Sequence, residues 1–261
     1  MYLEHWGFTK KPFENTPDPD NFYYSEEHKE CYDRMFYAVE GNKGGALLTG
    51  EYGCGKTTLL RIIAKNSMTE DREVVVVNNP QLEPDELLRE ILYQLGEESE
   101  ERSRAKLSKQ IEELLFSKFQ TGKEVLILID EAQLITGENV FEELRLLLNH
   151  QLNDRFLATI ILVGQPELRE KISAMPQFEQ RLGIKYHLHS FNLEDTRKYI
   201  LYRLNSASGN PDIVNEEAVS TIFNASFGVP RRINNICDLA LMTGARRKLK
   251  TVDSALVNMV I

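Results

Sequence analysis

The sequence predicts an α/β domain with a doubly wound parallel sheet of five strands, followed by a small all-α domain. Three observations support this prediction. Short apolar runs alternate with helical patterns over residues 1–190, which is the order found when helices cover both faces of a sheet. Each run is continuously apolar, as expected for strands that are buried on both faces. From Leu193 onward only helical patterns remain, so the domain boundary is placed at about residue 190.

The composition is that of an ordinary globular protein. Of the 261 residues, 42% are hydrophobic and 27% are charged, which excludes disordered, collagen-like and disulfide-scaffold proteins. The net charge of −9 argues against a protein that binds nucleic acid over its whole surface, although residues 191–261 carry a small basic excess. The longest apolar run, about Phe156–Val163, is too short to cross a bilayer, and residues 1–20 contain no signal-peptide core. We therefore expect a cytoplasmic protein without an integral membrane segment.

The α/β part begins with an aromatic, Pro- and Asp-rich segment, residues 6–24, which predicts ordered but irregular structure. Ser25 is a candidate N-cap for a helix that ends near Glu40. The strands are then predicted at Gly45–Thr49, Val74–Val77, Val125–Ile129, Ala158–Val163 and Ile184–Leu188. The intervening helices are predicted at Lys56–Asn66, Asp85–Leu95, Arg104–Phe119 and Val140–His150. We assign residues 1–190 to this core, including the N-terminal segment 1–24.

Residues 191–261 predict a small helical domain. Its helices are predicted at Leu193–Leu204, Glu216–Ser226, Arg231–Arg246 and Val252–Ile261. Asn215 and Thr251 are candidate N-caps for two of these helices. Turn residues that contain Gly and Pro separate the helices at 209–211 and 228–230.

A glycine-rich loop follows the first predicted strand and precedes a helical pattern. Its residues are Gly50, Glu51, Tyr52, Gly53, Cys54, Gly55, Lys56 and Thr57, which match GxxxxGK[ST] in full. Glycines let consecutive N–H groups point at an anion, and the helix N-terminus adds partial positive charge. The loop, continued through Thr58, is therefore expected to bind a nucleotide, with Lys56 on the β and γ phosphates and Thr57 holding Mg²⁺. The alternative is a glycine-rich turn with an incidental lysine, which the flanking strand and helix disfavour.

Two carboxylates, Asp130 and Glu131, directly follow the predicted strand that ends at Ile129. The carboxyl ends of parallel strands line the ligand crevice, so both carboxylates are expected beside the phosphate loop. Asp130 is predicted to support Mg²⁺. Glu131 is predicted to orient and polarise the water that attacks the γ-phosphate of ATP. The alternative is that the two residues are acidic helix caps.

Polar residues end two further strands. Gln165 follows the apolar strand that ends at Gly164 and is predicted to contact the γ-phosphate or the attacking water, with a capping residue before Pro166 as the alternative. Asn78 and Asn79 follow the strand that ends at Val77. They either hold Glu131 in an inactive pose or form a turn.

These features together resemble the AAA+ ATPases, and more narrowly the ExeA (general secretion pathway protein A) family. Several strings carry the narrower resemblance over essentially the whole chain. They are Met1-Tyr2-Leu3-Glu4-His5-Trp6-Gly7-Phe8 with Pro12-Phe13 and Pro17-Asp18-Pro19, Asp130-Glu131-Ala132-Gln133, Val163-Gly164-Gln165-Pro166-Glu167-Leu168, and Gly228-Val229-Pro230-Arg231-Arg232-Ile233-Asn234. The resemblance implies a P-loop NTPase fold of five parallel strands with a helical lid. It also implies hydrolysis of ATP with Mg²⁺ and self-association through the nucleotide site into a homo-oligomer, either a ring or a filament.

The resemblance further implies roles for two arginines. Arg231 matches the position at which the lid contacts the γ-phosphate, with its neighbour Arg232 as the competitor. Arg181 matches the arginine finger that a neighbouring subunit supplies. A guanidinium held in a dry site stabilises charge on a departing phosphoryl group. For either arginine, a surface salt bridge is the alternative.

Three functions are open at this point. Secretion members of the family continue into a membrane span and a peptidoglycan-binding region, so these 261 residues are expected to be a stand-alone member or a truncated module. The first hypothesis is an ATPase that acts on a protein partner in a secretion or pilus-type envelope system. The second is an ATP-dependent, DNA-associated regulator of transposition. Related ATPases share the core, and a basic run that could contact DNA phosphates lies at Arg246–Lys250. The alternative explanation of that run is a solvated helix terminus. The third is a nucleotide-gated binding module with negligible turnover.

Overall fold

The computed structural model describes residues 2–152 and 155–261. Met1, the first residue of the opening motif, lies outside the described residues. The strands are β1 (Gly45–Gly50), β2 (Arg72–Val77), β3 (Glu124–Ile129), β4 (Gln151–Leu152), β5 (Arg155–Phe156), β6 (Thr159–Gly164) and β7 (Leu182–Leu188). The helices are α1 (Tyr2–Trp6), α2 (Glu26–Glu40), α3 (Lys56–Ser67), α4 (Pro84–Gln94), α5 (Arg104–Gln120), α6 (Glu138–Leu147), α7 (Pro166–Ser173), α8 (Pro176–Glu179), α9 (Leu193–Ser206), α10 (Glu216–Ser226), α11 (Pro230–Arg246) and α12 (Ser254–Val257). Short 3₁₀ turns lie at Pro19–Asn21, Ala132–Leu134 and Pro211–Ile213.

Five of the described strands form one parallel sheet in the order β2-β3-β6-β1-β7. This confirms the predicted five-stranded parallel sheet. β1 and β6 are buried along their whole length, because helices cover both faces. The short β4 and β5 pair antiparallel outside this sheet. Neither these two strands nor the helices α7 and α8 were predicted from the sequence.

The chain divides into two compact units. One, the sheet unit, contains His28–Gly50 and Lys56–Leu188. The other, the helical unit, contains the described residues up to Glu27 together with Glu51–Gly55 and His189–Ile261. The division at His189 lies beside the boundary predicted at residue 190. The structure differs from the prediction in grouping the N-terminal segment with the helices instead of with the sheet.

One buried apolar cluster of the sheet unit consists of strand residues packed against α4, α5 and α6. Leu47 of β1, Ile127 of β3 and Leu162 of β6 belong to this cluster, as do Leu88 and Ile111 from the covering helices. At about 25 cal/mol per Å² of buried apolar surface, a cluster of this kind is the main source of stability of such a unit.

The N-terminal segment packs onto the helices because of its aromatic rings. Trp6 is buried and donates from its indole Nε1 to the carbonyl of Leu241 at 2.9 Å. The buried guanidinium of Arg203 donates to the backbone carbonyls of Pro12 and Glu14. Rings of this size would not remain in water, which explains why this segment joins the helical core.

Most predicted helices differ from the observed ones by a few residues at their ends, but the last one is much shorter. The predicted helix Val252–Ile261 is reduced to Ser254–Val257. Val252 instead forms a parallel bridge with Val214, so the N-cap is Asp253, whose side chain accepts from the Leu256 N–H, and not Thr251. The other predicted cap, Asn215, is confirmed by its hydrogen bond from the Ala218 N–H at 2.8 Å.

Candidate functional site

Three adjacent strands of the sheet unit end beside one another. The order β3-β6-β1 places the carboxyl ends at Ile129, Gly164 and Gly50 along one edge of the sheet. Ligands of open parallel sheets bind at this edge. The sequence-predicted residues Lys56, Thr57, Asp130, Glu131 and Gln165 all follow these three strand ends.

The phosphate loop leaves β1 at Gly50 and enters α3 at Lys56. Only glycine fits at position 50, because a Cβ on Gly50 would lie 2.5 Å from the carbonyl oxygen of Leu188. Gly53 and Gly55 have φ angles of 86° and 98°, which favour glycine over any residue with a Cβ. Lys56 is only 7% exposed, and its Nζ donates to the Gly50 carbonyl at 2.7 Å. The lysine side chain is thus held at the carboxyl end of β1.

Asp130 is buried, with 4% of its surface exposed. Its Oδ1 accepts from the Glu131 N–H at 2.9 Å, and its carboxylate also accepts a hydrogen bond from the Thr57 side chain. Burial raises the pKa of Asp130 above its ordinary value, although the Thr57 hydrogen bond and the charge of Lys56 oppose that rise. A partly uncompensated buried carboxylate of this kind is a ready partner for a cation.

The residues present fit Mg²⁺. Thr57 supplies a hydroxyl oxygen and Asp130 a carboxylate oxygen, the ligand types that this hard cation prefers. The two side chains are already hydrogen-bonded to each other. Among the described residues, no cluster of three or more His, Cys, Asp or Glu side chains is arranged to hold a metal ion.

Glu131 has an unusual backbone, with φ of 50° and ψ of 35°. Such left-handed geometry is uncommon for a residue with a side chain and is often found at functional sites. Its Oε2 accepts from the Gln133 Nε2 at 2.5 Å and from the Gln165 Nε2 at 3.5 Å. The structure therefore brings Gln165 to Glu131, the residue predicted to polarise the attacking water.

Asn78 and Asn79, for which holding Glu131 in an inactive pose is one of the two predicted roles, make no side-chain hydrogen bond to Glu131 among the described contacts. The Asn79 Oδ1 instead accepts from the Gln81 N–H at 3.4 Å, which supports the turn-forming alternative for Asn78 and Asn79. Gln133, and neither asparagine, donates a side-chain hydrogen bond to the Glu131 carboxylate. In the sequence, Gln133 stands out only as part of the motif Asp130-Glu131-Ala132-Gln133, and its position two residues after Glu131 is the available signal.

The two predicted arginines lie in different units. Arg231 is exposed at the start of α11 in the helical unit, where its backbone N–H donates to the Gly53 carbonyl at 3.3 Å. Arg181 is half-buried in the sheet unit just before β7, and its backbone N–H donates to the Phe178 carbonyl at 2.9 Å.

Comparison with known families and curated proteins gives consistent results. Residues 39–172 match the family described as AAA domain. The general secretion pathway protein A of Aeromonas hydrophila is 35% identical over 252 residues, covering 95% of this chain and 45% of that protein. An uncharacterized HTH-type transcriptional regulator of Methanocaldococcus jannaschii is 22% identical over 298 residues, covering 98% and 72% of the two chains. The chain thus spans less than half the length of the first of these relatives.

Solved structures show the same fold. The ORC2 protein of Aeropyrum pernix, with ADPNP and ADP, has a TM-score of 0.67 at 19% identity, covering 97% of this chain and 71% of that one. The RuvB Holliday junction branch migration motor of Thermotoga maritima has a TM-score of 0.59 at 20% identity, covering 96% and 72%. At these identities the likeness concerns the fold alone. None of the helices in residues 2–152 and 155–261 has the length and apolar character that crossing a bilayer requires.

Proposed function

Because this chain belongs to the AAA domain family and resembles general secretion pathway protein A, we propose that it binds and hydrolyses Mg·ATP. The observation that carries the proposal is the set of side chains at the ends of β1, β3 and β6. A buried lysine, a hydroxyl–carboxylate pair and a restrained glutamate lie there within one unit. A protein that only binds nucleotide does not need a restrained glutamate at this position.

Each residue has a distinct task in this proposal. The loop N–H groups and Lys56 bind the phosphates. Thr57 and Asp130 hold Mg²⁺, which when bound neutralises charge on the phosphate oxygens. Glu131 accepts a proton from the attacking water. Gln165, whose Nε2 lies 3.5 Å from the Glu131 Oε2, contacts that water or the γ-phosphate in this proposal.

Turnover is proposed to be coupled to self-association. In this scheme Arg231 contacts the γ-phosphate from its own chain, and Arg181 reaches the nucleotide of a neighbouring subunit. The resemblance supports both roles, and the place of Arg231 beside the phosphate-loop residue Gly53 supports the first. A homo-oligomer with the nucleotide at the subunit contact follows from them.

The pathway we propose is a secretion or pilus-type envelope system, with a protein partner. The support is the 35% identity to a protein named for general secretion. The alternative is a DNA-associated regulator, for which the exposed basic residues Arg246–Lys250 are the specific observation. A cytoplasmic location stays a prediction.

Nucleotide binding and phosphate release, measured side by side, test the proposal. The parent protein should bind Mg·ATP and release phosphate. Lys56→Ala should lose binding, whereas Glu131→Gln should bind but hydrolyse about 10²-fold more slowly. Lys65→Ala, an exposed lysine on the same helix, and Glu138→Gln, an exposed glutamate, are matched controls that should behave like the parent. A parent protein that does not bind Mg·ATP at concentrations that allow oligomers to form would overturn the proposal.

The two pathways are separated by adding double-stranded DNA to the same assay. We expect little stimulation of hydrolysis by DNA. Strong stimulation that falls steeply with rising salt would favour the DNA-associated alternative, because phosphate contacts release counterions. In that case, neutralising Arg246 and Arg247 should abolish the stimulation.

A further inference from the structure

The side-chain amide of Gln133 is hydrogen-bonded at both ends. Its Nε2 donates to Glu131 Oε2 at 2.5 Å. Its Oε1 accepts from the backbone N–H of Gln165 at 3.1 Å. One side chain therefore ties Glu131, the second residue after β3, to Gln165, the first residue after β6.

Gln133 is itself held firmly. It lies in the 3₁₀ turn Ala132–Leu134, which the Leu134 N–H closes by donating to the Glu131 carbonyl at 2.8 Å. The Lys171 ammonium donates to the Gln133 carbonyl and, at 2.9 Å, to that of Ile135. The last residue of β6, Gly164, leaves space for the amide, since a Cβ there would lie 2.6 Å from the Gln133 Oε1.

The arrangement acts on only one oxygen of Glu131. Both side-chain hydrogen bonds that the described residues give to this carboxylate end on Oε2. Among the described residues no side chain donates to Oε1, which is therefore open to accept a proton, while the hydrogen bonds to Oε2 restrain rotation of the carboxylate. A general base gains most from such restraint, because its geometry toward the water has to be fixed before the proton moves.

We propose that Gln133 is the positioning residue that orients Glu131 for ATP hydrolysis and couples its orientation to the Gln165 backbone. The proposal rests on the hydrolytic function proposed above and adds to it the residue that holds the base. Gln133 acts through Glu131 and takes no part in binding the nucleotide. Its loss should therefore lower kcat and leave ATP affinity unchanged.

Two substitutions test the two hydrogen bonds of the Gln133 amide. Gln133→Ala removes both hydrogen bonds. Gln133→Glu keeps an acceptor for the Gln165 N–H but replaces the donor by a carboxylate next to that of Glu131, and like charges at this distance repel. We expect kcat to fall about tenfold in Gln133→Ala, a fraction of the roughly 10²–10⁴ that a general base contributes, and at least as much in Gln133→Glu.

Gln94 provides a matched control. Its amide is also bonded at both ends, accepting from the Val76 N–H at 2.8 Å and donating to the Val76 carbonyl at 3.0 Å and to Glu90 at 2.6 Å. It does not contact Glu131. Gln94→Ala should retain the parent kcat. The dissociation constant of a fluorescent ATP analogue should be the same in the parent, Gln133→Ala, Gln133→Glu and Gln94→Ala.

A double-mutant cycle distinguishes positioning from general damage to the fold. In the Glu131→Gln background, Gln133→Ala should cause no further loss of the residual turnover, because the residue through which it acts is already disabled. A full additional tenfold loss there would overturn the proposal, as would a parent-like kcat in Gln133→Glu or a weakened ATP affinity. A parent protein that binds ATP without hydrolysing it would instead overturn the hydrolytic function itself. If Gln133→Ala does not fold, the double-mutant cycle with Glu131→Gln is measured with Gln133→Glu instead.

Discussion

Arg231 donates from Nη1 to the hydroxyl of Tyr52 at 2.5 Å, and its guanidinium carbon lies 4.9 Å from the centre of the Tyr52 ring. Tyr52 belongs to the phosphate loop and is 58% exposed. The neighbouring Gly53 has no room for a side chain, since a Cβ there would lie 2.8 Å from the Cβ of Arg231. The loop and the first turn of α11 are thus joined by a cation–π contact, a side-chain hydrogen bond and close backbone packing.

The first prediction concerns which of two adjacent arginines stabilises the phosphoryl group. Arg231→Ala should lower kcat about 10²-fold, as expected when one donor to a developing charge is removed. Arg232→Ala should retain parent activity, because the contacts to the phosphate loop are made by Arg231. Steady-state phosphate release measures both. The reverse ranking would assign the role to Arg232.

The second prediction concerns sharing of the site between subunits. Arg181→Ala and Lys56→Ala should each be inactive alone. Mixing the two variants should restore activity at roughly a quarter of the sites of a randomly mixed assembly. The reason is that a head-to-tail contact pairs the lysine of one subunit with the arginine of the next. Arg169→Ala, an exposed arginine on α7, should be active without mixing. Phosphate release from the mixture measures the recovery. A mixture no more active than its folded components would contradict a shared site.

The sequence could predict the parts of the fold and site that depend on short contiguous patterns. The loop around Lys56 and the pair at Asp130 are of this kind, because a buried strand fixes where the next residue lies. The partner of Glu131 was harder to predict, since several amides follow neighbouring strand ends. Gln133 makes the contact because the 3₁₀ turn brings its side chain back toward Glu131, and no periodicity in the sequence reports a turn of this type.

The grouping of the N-terminal segment was missed for a different reason. The aromatic residues indicated that the segment is ordered, but not which surface covers it. That depends on Arg203 and Leu241, which lie about 200 residues later and bind the segment through its backbone carbonyls and the Trp6 indole. Contacts to backbone atoms leave no complementary pattern of side chains to recognise.

The third prediction concerns Gly228, which comes just before α11. Its φ is +71°, and a Cβ would lie 1.8 Å from the carbonyl oxygen of Phe191, while its own carbonyl accepts from the Phe191 N–H at 2.9 Å. Gly228→Ala should therefore destabilise the protein by more than the roughly 1–2 kcal/mol of left-handed strain alone. Gly7 is the control: its φ is +73°, but a Cβ there would meet nothing within 4 Å. Urea unfolding measures both, and equal losses would mean that the contact with Phe191 is unimportant.

The fourth prediction concerns the pH dependence of stability through Glu73 on β2. The Lys118 ammonium lies 2.7 Å from its Oε2, and that of Lys123 lies 2.9 Å from its Oε1. Burial raises the pKa of Glu73, but the hydrogen bonds and charges of the two lysines outweigh it, so the pKa lies below its ordinary value of 4.5. A carboxylate whose pKa is lowered by folding stabilises the protein above its unfolded pKa, and that stabilisation is lost as the pH falls through the folded pKa.

Glu73→Gln should accordingly lower the free energy of unfolding at pH 7 by up to about 1 kcal/mol, the range for partly exposed ion pairs. The difference from the parent should shrink as the pH falls below 4.5, since the parent side chain is then neutral as well. Urea unfolding from pH 7 down to the lowest pH at which both proteins refold measures the trend. Glu70→Gln, an exposed glutamate just before β2, should show no such dependence. A difference between Glu73→Gln and the parent that stays constant with pH would show that glutamate shape, and not its charge, matters at this position.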